Sequence, residues 1–148
     1  MKCPNLFLER EVEEKRRRNV RCVMCNEPYQ NYIFDFERLE VYRMALKFVS
    51  KVFKIYRKLS REYRYSIGEQ FTRSALSIAN NIAEGSGKGS KKGKSQFYNI
   101  ALNSGRECIL MISILSSEQQ ITEEEYKNLR SDCIYICNML GRLIKSLE

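Results

Sequence analysis

The sequence predicts an all-α protein, an antiparallel up-down four-helix bundle preceded by an N-terminal extension. Three observations lead there. Apolar residues recur at alternating steps of three and four along four separate stretches after residue 36, the period of helices with one buried face. No strand-like alternation of any length interrupts them. The connections between the stretches are short, which favours antiparallel neighbours. The 148 residues suffice for one domain with its own core, and 43% hydrophobic with 30% charged residues is a globular rather than a disordered composition.

Residues 1–33 read as an extension and 34–148 as the bundle domain. Leu6 to Arg18 suits a short charged helix, and RCVMCNEPYQNY, with Pro28 and two asparagines, then breaks the pattern. Met24 lies shortly before the domain, so a start assigned too far upstream is a competing explanation of the extension. MKCPNLFLEREVEEKRRR has too few apolar positions for a secretory signal, and there is no run of about 18 apolar residues to span a membrane. A cytoplasmic protein without a membrane partner is the expectation.

The first helix is expected over Glu37–Ser60. Leu39, Tyr42, Leu46, Val49, Phe53 and Tyr56 form one seam; Val41, Ala45, Phe48, Val52, Ile55 and Leu59 form a second beside it. Together they cover about half the circumference at 100° per residue, wide enough for bundle partners and another subunit. The second helix is expected over Ile67–Glu84, with Phe71, Ala75, Ile78, Ala79, Ile82 and Ala83 inward and Gly85 as a left-handed stop. Asn80, Asn81 and Glu84 precede that stop as backbone caps or plain surface. The third starts between Ser90 and Ser95 and runs to Ser116, with Phe97, Ile100, Ala101, Ser104, Cys108, Met111, Ile112 and Leu115 as its stripe. Gly105 costs about 1 kcal/mol against alanine there, and a close helix crossing would explain it. Glu107 beside the stripe suits an inter-helix hydrogen bond. Thr122 and Glu125 make a Thr-x-x-Glu capping box that opens the fourth helix, whose seam is Tyr126, Leu129, Cys133, Ile136, Leu140, Leu143 and Leu147.

Charge is distributed unevenly. The net charge is +8; Arg38–Lys94 carry 14 Lys/Arg against 4 Asp/Glu, whereas Ser95–Glu148 carry 5 against 7. A basic field of this kind attracts polyanions, nucleic acid first, an acidic protein or membrane second. On the first helix Arg43, Lys47, Lys51, Lys54, Lys58 and Arg61 line the face away from both seams, with Glu40 the one acid. Solvated faces ordinarily mix signs to gain i,i+4 pairs, so a nearly single-signed stripe favours a polyanion. Tyr56, Tyr63 and Tyr65 lie among Arg57, Lys58, Arg61 and Arg64, placed either to stack on unpaired bases or to pack the bundle end.

GSGKGSKKGKS between the second and third helices superficially resembles a phosphate loop. Gly93-Lys94-Ser95 ends the pattern correctly, but Lys88 stands where its first glycine belongs, and a helix rather than a strand precedes it. What remains is a basic loop (Lys88, Lys91, Lys92, Lys94) leading into a helix N-terminus, suited to a backbone phosphate or to a soluble connection. Cys22-x-x-Cys25, with Cys3 upstream, invites a zinc reading, but no histidine completes a four-ligand site. Without histidine or paired carboxylates, catalysis, a cofactor and a metal are not expected. Cys108, Cys133 and Cys137 sit in apolar helical patterns and read as small buried hydrophobes.

Phe36, Leu39, Val41, Tyr42 and Ala45 follow the F-x-x-L-x-V-(W/Y)-x-x-A opening of the bacterial 23S rRNA-intervening-sequence protein family. RSALSIANNIAEG, from Arg73 to Gly85, is similar to that family's second-helix signature; FYNIALNSGRE and ITEEEYKNL resemble its third helix and the turn into the fourth. The resemblance covers residues 34–148. It departs from the pattern at Ala79, where many members have proline, which implies a straighter second helix. The resemblance implies a four-helix bundle assembling as a ring-like homopentamer. It also implies kinship with the accessory variability determinants of diversity-generating retroelements, which bind nucleic acid and a reverse transcriptase.

Together these readings describe a non-enzymatic, oligomeric nucleic-acid-binding accessory protein. Arg43, Lys47, Lys51, Lys54, Lys58 and Arg61 are its backbone-contacting stripe; Arg73, Lys88, Lys91, Lys92 and Lys94 are further contacts. A reverse transcriptase is the candidate protein partner. The alternative is a protein-interaction scaffold of the same family without direct nucleic-acid binding.

Overall fold

The computed structural model describes residues 33–148, and every regular element among them is helical. Residues Asp35–Glu148 form one compact unit. The extension and its Cys3, Cys22 and Cys25 lie outside the described residues, as does the zinc reading attached to them. A short α1 (Asp35–Arg38) leads into α2 (Glu40–Lys58). Then come α3 (Arg61–Tyr63), a π-helical turn over Arg64–Gly68, and α4 (Glu69–Ser86). The long α5 (Lys91–Ser117) and α6 (Glu123–Lys145) complete the chain.

The first predicted helix is broken near its start. Leu39 is extended (φ −71°, ψ 125°) and caps α2, so Glu37 and Arg38 belong to the separate α1. Of the two seams on α2, the second is the core: Val41, Ala45, Phe48, Val52, Ile55 and Leu59 are all buried. The first seam contributes only Val49 to the core, and Leu46 is 46% exposed. α2 stops at the extended Leu59 and Ser60. The Arg64 guanidinium closes that end by donating to the carbonyls of Arg57 (2.9 Å) and Leu59 (3.0 Å), groups that a helix C-terminus leaves without intrahelical donors. The second predicted helix therefore begins earlier than Ile67. Gly68, in the π turn, lies against the end of α2: a Cβ there would stand 2.9 Å from Leu59 Cδ1 and 3.1 Å from the Tyr56 ring.

α4 buries Phe71, Ser74, Ala75, Ile78, Ala79, Ile82 and Gly85. Gly85 is not the left-handed stop the sequence suggested. It is helical, α4 runs one residue past it, and no described glycine has a positive φ. Its lack of a side chain serves packing, because a Cβ would stand 2.7 Å from the Tyr98 ring and 3.0 Å from Phe97 Cβ. The same contact explains why the α5 stripe starts at Tyr98, 3% exposed, while Ile100 is 41% exposed. From Ala101 to Leu115 the predicted stripe is buried as expected. Gly105 marks a close crossing: a Cβ there would lie 2.5 Å from Cys137 Sγ on α6.

α4 packs on α5, α5 on α6, and α2 on both α4 and α6. Phe48 and Phe71 meet edge to face at 6.2 Å in the shared core, with Ile78, Ile82, Ile112, Leu115, Ile136 and Leu140 fully buried around it. Each such side chain contributes about 1.5–3 kcal/mol by leaving water. The two buried serines are both satisfied. Ser74 Oγ donates to Glu107 Oε2 at 2.9 Å, the inter-helix bond foreseen for Glu107, and Ser104 Oγ lies 2.8 Å from Ser77 Oγ.

The caps are sequence-encoded. Ser90 Oγ accepts from Gly93 N (3.1 Å) at the start of α5. Thr122 Oγ1 accepts from Glu125 N (3.2 Å) while Thr122 N donates to Glu125 Oε2 (3.0 Å), the predicted capping box. The end of α5 is a Schellman turn made without glycine. Gln120 N donates to Leu115 O (2.9 Å), Gln119 N donates to Ser116 O (3.0 Å), and Gln119 holds φ +54°.

Two expectations follow. Gln119→Gly removes the left-handed penalty of an L side chain, less the backbone entropy glycine brings, and should stabilise the protein by about 0.5–1 kcal/mol in denaturant melts. Gly105→Ala should destabilise it by about 1–3 kcal/mol, and a Cys137→Ala partner substitution should recover part of that loss in a double-mutant cycle.

Candidate nucleic-acid interface

The outer face of α2 carries the predicted stripe as far as Lys58, Arg61 opens α3, and Arg43, Lys47, Lys51, Lys54, Lys58 and Arg61 are all exposed. They do not form a uniform field. Lys51 Nζ pairs with Asp132 of α6 at 2.5 Å, and Lys58 Nζ pairs with Glu125 at the α6 N-terminus. Both pairs join residues far apart in sequence and become visible only once α6 packs beside α2. Arg43 Nε donates to the backbone carbonyl of Glu37 at 3.1 Å. Lys47, Lys54 and Arg61 have no ion-pair partner among the described residues.

The Lys58 ammonium and the Thr122 backbone amide hold the Glu125 carboxyl below its ordinary titration range. Such exposed pairs contribute about 0–1 kcal/mol each. Their larger effect is electrostatic cancellation at the α6 side of the stripe.

The second group splits in the same way. Lys88 is withdrawn from the loop: its ammonium pairs with Glu84 at 2.5 Å and lies 4.7 Å above the Phe97 ring. Arg73 on α4 and Lys91 and Lys92 in the first turn of α5 are exposed, and Lys94 is half-buried; none has an ion-pair partner among the described residues. One amide of that first turn, Gly93 N, is already taken by Ser90 Oγ. Asn81 bonds back to Ser77 O (2.7 Å) within α4 instead of capping a neighbour.

The three tyrosines near the α2 C-terminus divide too. Tyr63 Oη donates to Glu118 at 2.6 Å, and that carboxylate pushes the phenol's titration upward. Tyr56 is half-buried against Gly68, and only Tyr65 stands free at 62% exposure. Glu62 and Glu118 stand near Tyr63, and Arg57, Arg61 and Arg64 share this end of the chain.

The thiols belong to the core. Cys108 and Cys133 are buried, and Cys133 Sγ donates to Gly105 O at 3.2 Å. A hydrogen bond with Cys108, with burial, pushes Cys133 up to about 12; the Cys133 thiol and burial raise Cys137 as well. Among the described residues no group of three or more His, Cys, Asp or Glu is arranged to hold a metal ion. No described helix is long and apolar enough to cross a membrane. A groove of about 360 Å³ between the start of α2 and the end of α6 is lined by Leu39, Glu40, Val41, Met139, Arg142 and Leu143.

The fold and surface define a small, basic, all-helical protein. The family model described as 23S rRNA-intervening sequence protein matches residues 37–142, and the chain belongs to that family. It is also similar to a crystal structure from Bacteroides thetaiotaomicron, described as a protein with unknown function from the S23 ribosomal protein family. That structure is 28% identical and superposes with a TM-score of 0.67, over 71% of this chain and 95% of the other. Comparison with curated proteins gives no match.

Two measurements check the site's chemistry. The depressed Glu125 carboxyl contributes stability that is present above the unfolded-state pKa and lost as pH falls through the folded one. The deficit of Glu125→Gln against wild type in thermal melts should therefore be present at about pH 7 and shrink progressively as pH falls below about 4. In a Cys3→Ser/Cys22→Ser/Cys25→Ser variant, a disulfide reagent at about pH 8 should label the remaining thiols slowly until denaturant is added.

Proposed function

We propose that the protein is a non-enzymatic, oligomeric accessory protein of the cytoplasm that binds the phosphate backbone of RNA or DNA through basic helix surfaces. In this reading the four long helices form an antiparallel up-down bundle, and copies assemble as the ring-like homopentamer that the family resemblance implies. The observation that carries it is a set of cations without ion-pair partners among the described residues: Lys47, Lys54 and Arg61 with Arg73, Lys91, Lys92 and Lys94. Leaving like charges unpaired on one protein costs self-repulsion, which a polyanion relieves while releasing its own counterions. Recognition of this kind is salt-dependent and only weakly sequence-specific. Self-association is supported by Leu46 on α2 and Leu76 on α4, large apolar side chains left 46% and 39% exposed.

A second reading, a protein-interaction scaffold with a reverse transcriptase as one candidate partner, is favoured by a different observation. Leu110 on α5 and Ile134 and Tyr135 on α6 are exposed at 55%, 41% and 43%.

The test is binding of a labelled RNA hairpin and a DNA duplex of matched sequence across a salt series, with mass in solution measured alongside. The wild type should bind both, and Lys47→Gln/Lys54→Gln/Lys91→Gln/Lys92→Gln should flatten the salt slope by about 0.9 per lost phosphate contact at unchanged mass. Wild-type binding weaker than about 10⁻⁴ M at physiological salt would sink the nucleic-acid reading and leave the scaffold.

A further inference from the structure

We propose that the polyanion seats end-on, on a basic surface made by Lys91, Lys92 and Lys94 of α5 together with Arg142 and Lys145 of α6, rather than along α2. The inference rests on the nucleic-acid reading above and adds two residues from the half of the chain whose own charge is negative.

The register of α5 against α6 brings these cations together. Cys133 Sγ bonds to Gly105 O, and Cys137 Sγ occupies the space a Gly105 side chain would need. The helices are joined by the short turn at Glu118–Thr122, so they run antiparallel with Gly105 and Cys137 level. Lys145 lies about two turns past Cys137, and Lys94 about three turns before Gly105. The two lysines are thus separated along the axis by about one turn, roughly 5 Å, within reach of neighbouring phosphates on one strand. Arg142 lines the groove shared with Leu39 and Glu40, which extends the surface to the start of α2. Arg142 and Lys145 are exposed and have no ion-pair partner among the described residues.

Carboxylates stand at this end too. Glu84 is held by Lys88, and Glu40 shares the Arg142 groove. At the other end Glu118, Glu123, Glu124 and Glu125 crowd the α5–α6 turn, and Glu125 and Asp132 neutralise Lys58 and Lys51. Two cations toward the α2 C-terminus are thus neutralised and Arg57 and Arg61 remain there, whereas Lys91, Lys92, Lys94, Arg142 and Lys145 all keep their charge at the end that holds the α4–α5 turn. Arg142 and Lys145 also complement the α6 C-terminal dipole, a role that acts on stability and needs no ligand.

The experiment compares three variants with wild type against the same hairpin and duplex, with thermal unfolding measured on each. Arg142→Gln/Lys145→Gln should weaken binding on the order of tenfold and flatten the salt slope by about 1.8 for two lost contacts. Arg142→Lys/Lys145→Arg should keep wild-type affinity. Arg57→Gln/Lys127→Gln removes the same charge from the opposite end and should change affinity less than about twofold. Wild-type affinity in Arg142→Gln/Lys145→Gln, or an equal loss in Arg57→Gln/Lys127→Gln, overturns the end-on surface while the nucleic-acid reading stands. A wild type that binds neither probe removes both. A preference for hairpin or duplex, lost in Arg142→Gln/Lys145→Gln, supports the surface and says which source of phosphate it takes.

Discussion

The close approach of α5 to its two neighbours governs the rest of the molecule. Gly85 admits the Tyr98 ring where α4 and α5 meet, and Gly105 admits the Cys137 thiol where α5 crosses α6. Neither contact tolerates a Cβ without movement, so each fixes a register as well as a distance. With α4 so placed, Ser74 reaches Glu107 and Ser77 reaches Ser104, and the buried hydroxyls are satisfied. With α6 so placed, Cys133 bonds to the Gly105 carbonyl, and its thiol is held in a core where the thiolate is disfavoured.

Register also decides electrostatics. Lys51 and Lys58 are cations on the outer face of α2, yet the packing of α6 sets Asp132 and Glu125 beside them. These pairs add little stability at an exposed site. They do remove positive potential from one end of the molecule, and the basic field left over is set by which cations have no neighbour to cancel them. Part of the cation excess in the first half of the sequence is thus cancelled by carboxylates of the second.

Family membership and the likeness to a solved structure of unknown function leave chemistry to the surface itself. The described surface offers cations without partners and apolar side chains left exposed on several helices. The proposed phosphate contact draws on the first, and the proposed self-association or protein partner on the second. Both fit a molecule whose interior is spent on packing, with its two buried serines bonded to side chains of neighbouring helices.

Apolar period, caps and breakers act within a few residues, so the sequence alone determined most of the helices. The inner seam of α2, the stripe of α5 from Ala101 onward, the heptad of α6, the Thr122–Glu125 box and the close crossing at Gly105 were all legible there. So was the excess of cations between Arg38 and Lys94. What the sequence could not decide depends on partners many residues away. Gly85 looked like a helix stop because its reason, the Tyr98 ring, arrives from the next helix. Lys51 and Lys58 looked free because Asp132 and Glu125 are distant in the chain. Arg142 and Lys145 drew no notice in an acidic stretch, and only the packing of α6 on α5 brings them to the same end as the start of α5. Local propensity reads one element at a time, whereas charge pairing and close contact are properties of two elements held in register.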